Sequence, residues 1–305
     1  MAFTAKDVQA LRERTGCGMM ECKKALTNAD GDMEKAIEFL RERGLAVAAK
    51  KAGRIAAEGL VYTVVDEAKK LSVIIEVNAE TDFVAKNEKF VSFVKGCADT
   101  ILAENPADMD ALMESKMAGG NGETVADALR DKILTIGENM KIRRFERREG
   151  VACNYVHGEG RIGVMVYFNT DDATAAKAEF KAMAKDIAMQ IAAANPSYLD
   201  KDAVPADVLD KEKEIYKVQA MNEGKPEAIA EKIVLGRVAK FYKEVCLVDQ
   251  AFIKDPDISV SKYVQNCAKD LGAEISVTGF VRYERGEGLE KREDNFADEV
   301  MNMAK

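Results

Sequence analysis

Apolar residues recur at helical spacing through the first 45 residues, with glycine-containing turns between them. Thr4 and Asp7 have the spacing of a capping box, which predicts the start of a first helix. The turns divide the stretch into three helices, and Gly44 is predicted to end the third. Residues 1–45 are therefore predicted to form a three-helix N-terminal module.

The stretch that follows, residues 46–58, is rich in alanine and lysine and contains one isoleucine. So little apolar surface cannot bury much against a partner element. We expect a partly helical linker here.

A second pattern begins at residue 59, where β-branched apolar runs precede helical spacing, and this pattern occurs twice. Residues 90–106 (FVSFVKGCADTILAENP) and 180–196 (FKAMAKDIAMQIAAANP) stand ninety residues apart, and both end in Asn-Pro. At the same offset the strand Val73–Val77 matches Gly163–Tyr167. Each copy reads as a hairpin, a strand and a helix, which predicts an α+β fold. The core is predicted to hold two duplicated α+β subdomains with antiparallel sheets, at residues 59–149 and at residues 150–198 with 250–285.

A third pattern, purely helical, fills residues 199–249 and turns at Gly224. Its apolar stripes exceed what one helix pair buries, so we expect a helical hairpin through which the chain forms a homodimer. Residues 286–305 carry Leu289, Phe296, Val300 and Met303 at weakly helical spacing, which predicts a C-terminal helical tail.

One connection in the first subdomain carries an unusual aromatic residue. The run from Asn78 to Asn87 (NAETDFVAKN) leads from the strand into the helix and includes Thr81, Asp82, Phe83 and Val84. In one interpretation Asp82 caps the helix and Phe83 tucks beneath it. In the other, Phe83 is exposed for a partner. The repeat favours the second, because Asp171-Asp172-Ala173-Thr174 stands opposite this corner and has no aromatic residue.

Composition and charge narrow the class of protein. A net charge of −8 and a pI near 5.1 argue against direct nucleic-acid binding. No apolar run reaches the ~18 residues of a membrane span. Residues 1–4 lack the pattern of a secretory signal, and six scattered cysteines suit a reducing compartment, so we expect a cytoplasmic protein.

The spacing of Cys17 and Cys22 does not predict a metal site. The basic run Lys141–Arg148 is predicted to be a solvated sheet edge.

Residues 158–163 (GEGRIG) match the dinucleotide pattern G-x-G-x-x-G, but an apolar strand rather than a helix follows. We interpret them as a hairpin turn. The chain also lacks a phosphate-binding P-loop, so no cofactor is expected. His157 is the one histidine, and no nucleophile motif accompanies it, so we do not expect an enzyme. It is either an exposed turn residue or a partner contact.

Two segments carry a family resemblance: NAETDFVAKNEKF at the corner and LRERTGCGMMECKKAL in the N-terminal module resemble bacterial elongation factor Ts. The likeness runs along nearly the whole chain. It implies that the partner is elongation factor Tu, a GTPase, and that the function is guanine nucleotide exchange.

In the mechanism that the resemblance implies, the Asp82-Phe83 corner inserts near the bound GDP and disturbs the Mg²⁺ and phosphate sites of elongation factor Tu. Met19, Met20 and Lys23 would contact the GTPase domain, and His157 would contact another domain. The alternative is a non-exchanging adaptor that uses the three-helix module as a ubiquitin-associated (UBA)-like binding unit.

Overall fold

The structure, a computed structural model, describes residues 3–224 and 226–291. Its helices and small antiparallel sheets make an α+β protein, as predicted. Within the described residues no helix is both long enough and apolar enough to span a membrane. The predicted tail helix falls largely on residues 292–305, which lie outside the described part of the chain.

Three helices form the N-terminal region: α1 (Ala5–Thr15), α2 (Met19–Asn28) and α3 (Met33–Lys51). The predicted capping box is present, since the Thr4 side chain accepts from the Asp7 N–H while the Asp7 carboxylate accepts from the Thr4 N–H. Leu11, Cys22 and Leu26 fill a small core between the helices.

The first core subdomain runs from residue 58 to residue 149. Its elements are β1 (Glu58–Asp66), β2 (Leu71–Ala79), α4 (Asp82–Ala85), α5 (Glu88–Glu104), α6 (Met109–Glu114), α7 (Val125–Ile136) and β3 (Met140–Glu149). The strands form an antiparallel sheet in the order β1-β2-β3. Helices α5 and α7 cover one face of it through a core that contains Phe90, Val94 and Ile133.

The second core subdomain repeats this plan with a later strand. Its elements are β4 (Val151–His157), β5 (Ile162–Asn169), α8 (Asp172–Ala175), α9 (Ala178–Ala194), the small hairpin of β6 (Ala251–Phe252) and β7 (Asp255–Ser259), α12 (Val260–Leu271) and β8 (Ser276–Glu284). The strand order β4-β5-β8 places β5 at the centre of an antiparallel sheet. Between α9 and β6 the chain forms the helical hairpin α10 (Ala206–Asn222) and α11 (Glu227–Val245).

The two sheets pack face to face, with the helices outside. Val61 and Ile74 of the first sheet meet Met165, Tyr167 and Val281 of the second in a shared apolar layer. The backbone also joins them, since the Val61 N–H donates to the Gly160 carbonyl at 2.8 Å.

The prediction that Gly44 ends the third helix is wrong, because α3 continues to Lys51 and takes in much of the predicted linker. A glycine inside a helix costs roughly 1 kcal/mol relative to alanine. Here Gly44 is buried, and a Cβ at this position would touch Leu134 of α7 at 3.8 Å. Packing of α3 against α7, with Val47 and Ala48 on the first core, outweighs the local preference.

The repeat is present in the helices, whereas the strand alignment is off by one residue. Asn105 and Asn195 end α5 and α9 in the same left-handed conformation, ninety residues apart. In β2, however, Val73 faces the helices, while its predicted counterpart Gly163 faces Val61 of the other sheet. The helix-facing residue there is Val164, because a one-residue slip moves a side chain to the opposite face.

The basic run Lys141–Arg148 is not simply a solvated edge. The β2–β3 register shifts next to Glu76, so Arg143 and Arg144 both reach its carboxylate instead of pointing to opposite faces. Glu76 is fully buried, so the run contributes two structural cations.

Candidate functional site

The corner between β2 and α5 contains a single helical turn, α4, and a side-chain cap begins both α4 and α5. The Thr81 side chain accepts from the Val84 N–H at 3.4 Å and begins α4, and the Asn87 side chain accepts from the Lys89 N–H at 2.9 Å and begins α5. Two helix starts within six residues bend the chain sharply. The bend carries α4 out at the end of the strand.

Within α4 the side chains divide between the core and solvent. Val84 is 7% exposed and belongs to the first core, so it anchors the turn rather than offering a contact surface. Phe83 is 82% exposed, and Asp82 beside it is also exposed. The interpretation in which Phe83 tucks beneath the helix is therefore wrong. Neighbouring helical residues point about 100° apart, so burying Val84 turns Phe83 outward.

The second copy of the corner shows that α4 does not need an aromatic residue to fold. Its turn α8 begins at an Asp171 cap and buries Thr174, the counterpart of Val84. Ala173 occupies the place of Phe83. The corner geometry is thus available without an exposed ring.

A residue distant in sequence also holds the corner. The Glu138 carboxylate accepts from the Thr81 N–H at 3.0 Å and from the Thr81 hydroxyl at 2.7 Å. Sequence reasoning missed this contact, because Glu138 follows α7 and nothing in its neighbourhood points to Thr81.

The turn that follows His157, the last residue of β4, lies beside the corner. The Lys86 ammonium, at the end of α4, is 3.3 Å from the Glu159 carboxylate in the β4–β5 turn. His157 is exposed, and its Nδ1 lies 3.1 Å from the Tyr155 hydroxyl. The structure therefore brings Phe83 and His157 onto adjoining surfaces.

Two glycines of the segment that matches the dinucleotide pattern lie where the two sheets approach each other. Gly160 has φ +91°, and a Cβ there would lie 2.8 Å from the Leu60 Cβ. A Cβ at Gly163 would lie 2.4 Å from Val61. The absence of side chains lets the two sheets approach, and the predicted hairpin turn is confirmed.

Met19, Met20 and Lys23 form a separate exposed patch on α2. Met19 and Met20 are 45% and 61% exposed, whereas Cys22 behind them is fully buried. Both methionines are therefore surface residues and do not belong to the core of the three-helix module. Flexible thioethers on a surface adapt readily to a partner.

The described residues contain no group of three or more histidine, cysteine or acidic side chains placed to hold a metal ion. A cavity of about 440 Å³ lies beside the second corner, between β4 and α9, and is mainly apolar. Cys153 lines it, and burial raises the pKa of its thiol to about 11. That thiol is protonated at neutral pH and is a poor nucleophile.

Among the described residues, the α+β core exposes the Phe83 ring next to a polar turn, and α2 exposes two methionines. These surfaces suit a factor that binds another macromolecule. Comparison with known proteins gives the family. Residues 80–287 match the family model described as elongation factor TS.

The chain is 56% identical to elongation factor Ts of Clostridium novyi (strain NT), over 98% of both chains. It is 53% identical to that of Clostridium kluyveri, over 98% of this chain and 97% of the relative. With elongation factor Ts of Clostridium perfringens (strain SM101) it shares 54% identity over 99% of both. The chain belongs to the elongation factor Ts family and is a translation elongation factor.

Proposed function

We propose that the chain is a guanine nucleotide exchange factor, which binds elongation factor Tu in its GDP form and promotes release of GDP. Membership of the family implies this partner and this activity. In the proposed mechanism Asp82 and Phe83 enter the partner near the nucleotide and disturb its Mg²⁺ and phosphate sites. Thr81 and Val84 hold the turn that presents them.

Exchange of this kind requires the factor to bind the empty GTPase more tightly than the loaded one. Binding couplings are reciprocal, so bound GDP must weaken the factor by the same ratio. A GTPase holds GDP through backbone amides and a Mg²⁺ that bridges phosphate and protein oxygens. A side chain that can occupy space at that site only after the ion or phosphates shift provides such a coupling.

The observation that carries the proposal is the exposure of Phe83, at 82%. Moving a phenylalanine side chain from water to an apolar site contributes roughly 1.5–3 kcal/mol. That free energy is unused in the free chain and is available to oppose nucleotide binding.

Two further surfaces supply the affinity in this proposal. His157, at the end of β4 and next to the turn in which Glu159 pairs with Lys86, extends the contact around Phe83. Met19, Met20 and Lys23 provide a second contact on α2. Neither surface needs to distinguish the loaded from the empty partner. The free energy of binding at these two surfaces offsets the loss of contacts between elongation factor Tu and GDP.

The helical hairpin is proposed to join two copies of the chain. Its exposed apolar residues are Ile215, Val218 and Met221 on α10 and Ile229 and Leu235 on α11. Ala220 and Ala230 are already buried within the hairpin, so the exposed residues form a second apolar face.

The test is release of labelled GDP from purified elongation factor Tu, with Phe83→Ala compared with the unmodified chain. We expect stimulated release to slow about ten- to a hundred-fold, the rate equivalent of the lost burial. The free energy of unfolding should stay within about 0.5 kcal/mol, because the ring is exposed in the free chain.

The matched control is Phe83→Ala combined with Ala173→Phe, which moves the ring to the second corner. It should not restore exchange if the position of the ring matters. Normal exchange by Phe83→Ala would refute the mechanism. Binding to elongation factor Tu without any stimulated release by the unmodified chain would instead support the UBA-like adaptor.

A further inference from the structure

The two corners of the core are capped in different ways. In the second corner the cap is local: the Asp171 carboxylate accepts from the Thr174 N–H and from the Thr174 hydroxyl, both at 2.8 Å. In the first corner the capping residue is Thr81, and its own N–H and hydroxyl donate to Glu138, 57 residues away.

The contact between the two segments is reciprocal. While Glu138 accepts from Thr81, the Glu80 carboxylate accepts from the Asn139 N–H at 2.6 Å. Each two-residue segment thus places a carboxylate on the backbone N–H of the other. The pair lies just beyond the Ala79–Met140 pairing that ends the β2–β3 ladder. The side-chain hydrogen bonds of this pair therefore link the two segments beyond the last paired strand residues, as far as Thr81, the residue before α4.

The segment just after α3 also contacts Glu80 and Asn139. The Asn139 side chain donates to the Arg54 carbonyl at 2.8 Å, and the Arg54 guanidinium lies 3.5 Å from the Glu80 carboxylate. Glu80 therefore faces Arg54, just after α3, and both Glu80 and Glu138 face Lys51 at the end of α3. These cations offset the repulsion between two neighbouring carboxylates.

We infer that Glu138 is a positioning residue, which fixes the orientation of α4 so that Phe83 is already directed outward before a partner arrives. The inference rests on the proposed function. The corner that carries Phe83 is held by this long-range contact between Glu138 and Thr81, which we call the clamp. The corner with Ala173 has only the local cap from Asp171. Val84 and Ala85 bury one side of this four-residue turn, whereas its first residue is held by the contact of Thr81 with Glu138, so without the clamp the partner would have to fix the start of the turn on binding.

The experiment measures GDP release from elongation factor Tu as a function of factor concentration. Glu138→Ala should lower the maximal rate about ten-fold, because a displaced ring is less effective at the nucleotide site. The concentration for half-maximal rate should change less, since the contacts of α2 and His157 remain. Glu138→Gln keeps a carbonyl oxygen for the Thr81 N–H and should recover part of the rate.

Two variants at the other end of the contact provide an independent measure. Thr81→Ser retains both donors and should exchange almost normally, whereas Thr81→Val loses the hydroxyl and should resemble Glu138→Ala. If Glu138→Ala fails to fold, as judged by thermal unfolding, Thr81→Val takes its place. Asp171→Ala is the matched control, which breaks the cap of the second corner and should leave the exchange rate unchanged.

A double variant separates positioning from other roles. If Glu138 acts through the ring, Glu138→Ala should have no further effect in a chain that already carries Phe83→Ala. An undiminished ten-fold loss in that background would overturn the inference, as would normal exchange by both Glu138→Ala and Thr81→Val. Failure of the proposed function gives a different result, because Phe83→Ala alone would then exchange normally.

Discussion

Phe83 and Ala173 occupy the same place in two copies of one turn, and they give that turn different surfaces. Both turns bury the next residue, Val84 or Thr174, so the backbone does not depend on the residue before it. A single side chain therefore separates a structural corner from one that presents an aromatic ring. The neighbouring turn is more demanding, because Gly160 meets Leu60 where a Cβ would be 2.8 Å from another Cβ.

Gly160→Ala is expected to destabilise the chain by about 2–4 kcal/mol, from the strained positive φ and from overpacking against Leu60. Urea unfolding measures the change. Gly158→Ala is the control in the same turn: its φ is +60°, and its nearest neighbour is the Arg161 Cβ at 3.3 Å, farther away than the 2.8 Å contact at Gly160. It should cost roughly 1 kcal/mol. Equal losses for the two variants would contradict the close-packing role of Gly160.

At the scale of elements, the helical hairpin differs from the rest of the fold, because α10 and α11 pack mainly on each other. Arg237 of α11 lies 3.3 Å from Glu223, the residue just after α10, and this ion pair links the two helices on a polar side. Val238 is nearly buried between them, whereas Leu235 is 71% exposed. An exposed leucine on a protruding pair of helices suits a contact with a second copy.

Leu235→Lys is expected to shift the full chain from dimer to monomer, because it places a charge within the apolar contact. Sedimentation velocity distinguishes 33.5 kDa from twice that mass. Lys240→Ala, at an exposed position of the same helix, should not change the mass. A chain that is monomeric before any substitution would rule out this dimer.

At the scale of the whole molecule, the two subdomains share an apolar layer and a buried carboxylate. Glu76 of β2 accepts from the Gly286 N–H at 2.8 Å, just beyond β8, and from Arg143 and Arg144 at 3.0 and 2.6 Å. Arg144 also lies over the Tyr283 ring at 4.1 Å. Burial raises the pKa of Glu76, but its hydrogen bonds, including one from Asn78, more than offset this and hold the pKa below its usual value.

The lowered pKa makes the joint between the subdomains sensitive to acid. A carboxylate with a folded pKa below its unfolded value of about 4.3 contributes stability above that pH, and the contribution is lost as pH falls through the folded pKa. Glu76→Gln should lower the free energy of unfolding by about 3 kcal/mol at pH 7, since two arginines lose their charged partner.

The same substitution should also flatten the loss of stability below about pH 4.5. Urea unfolding at a series of pH values measures both effects. Glu67→Gln removes the exposed ion pair with Lys181 and should leave the unfolding midpoint nearly unchanged. An unaltered pH dependence in Glu76→Gln would show that Glu76 is not the group responsible.

Local patterns in the sequence were enough for much of the fold. The cap at Thr4, the turn at residues 158–160 and the helix ends at Asn105 and Asn195 all depend on residues within a few positions of one another. The comparison of Phe83 with Ala173 also needed only the repeat. That comparison correctly indicated an exposed ring.

Other features depend on contacts between distant segments. Gly44 continues a helix because Leu134 lies against it, and Arg143 and Arg144 converge because a bulge places both beside Glu76. The contact between Glu138 and Thr81 could likewise not be predicted from local patterns, because the two residues are 57 positions apart.

The sequence by itself determined the α+β pattern, the repeat, the family and the residue that carries the proposed function. It did so because periodicity, capping and turn chemistry are local, and because a repeated segment allows comparison within one chain. Only the tertiary structure decided which charges are buried, how the two sheets meet, and what holds the corner in place. Those features depend on close packing between surfaces whose separation in space the linear order of residues does not specify.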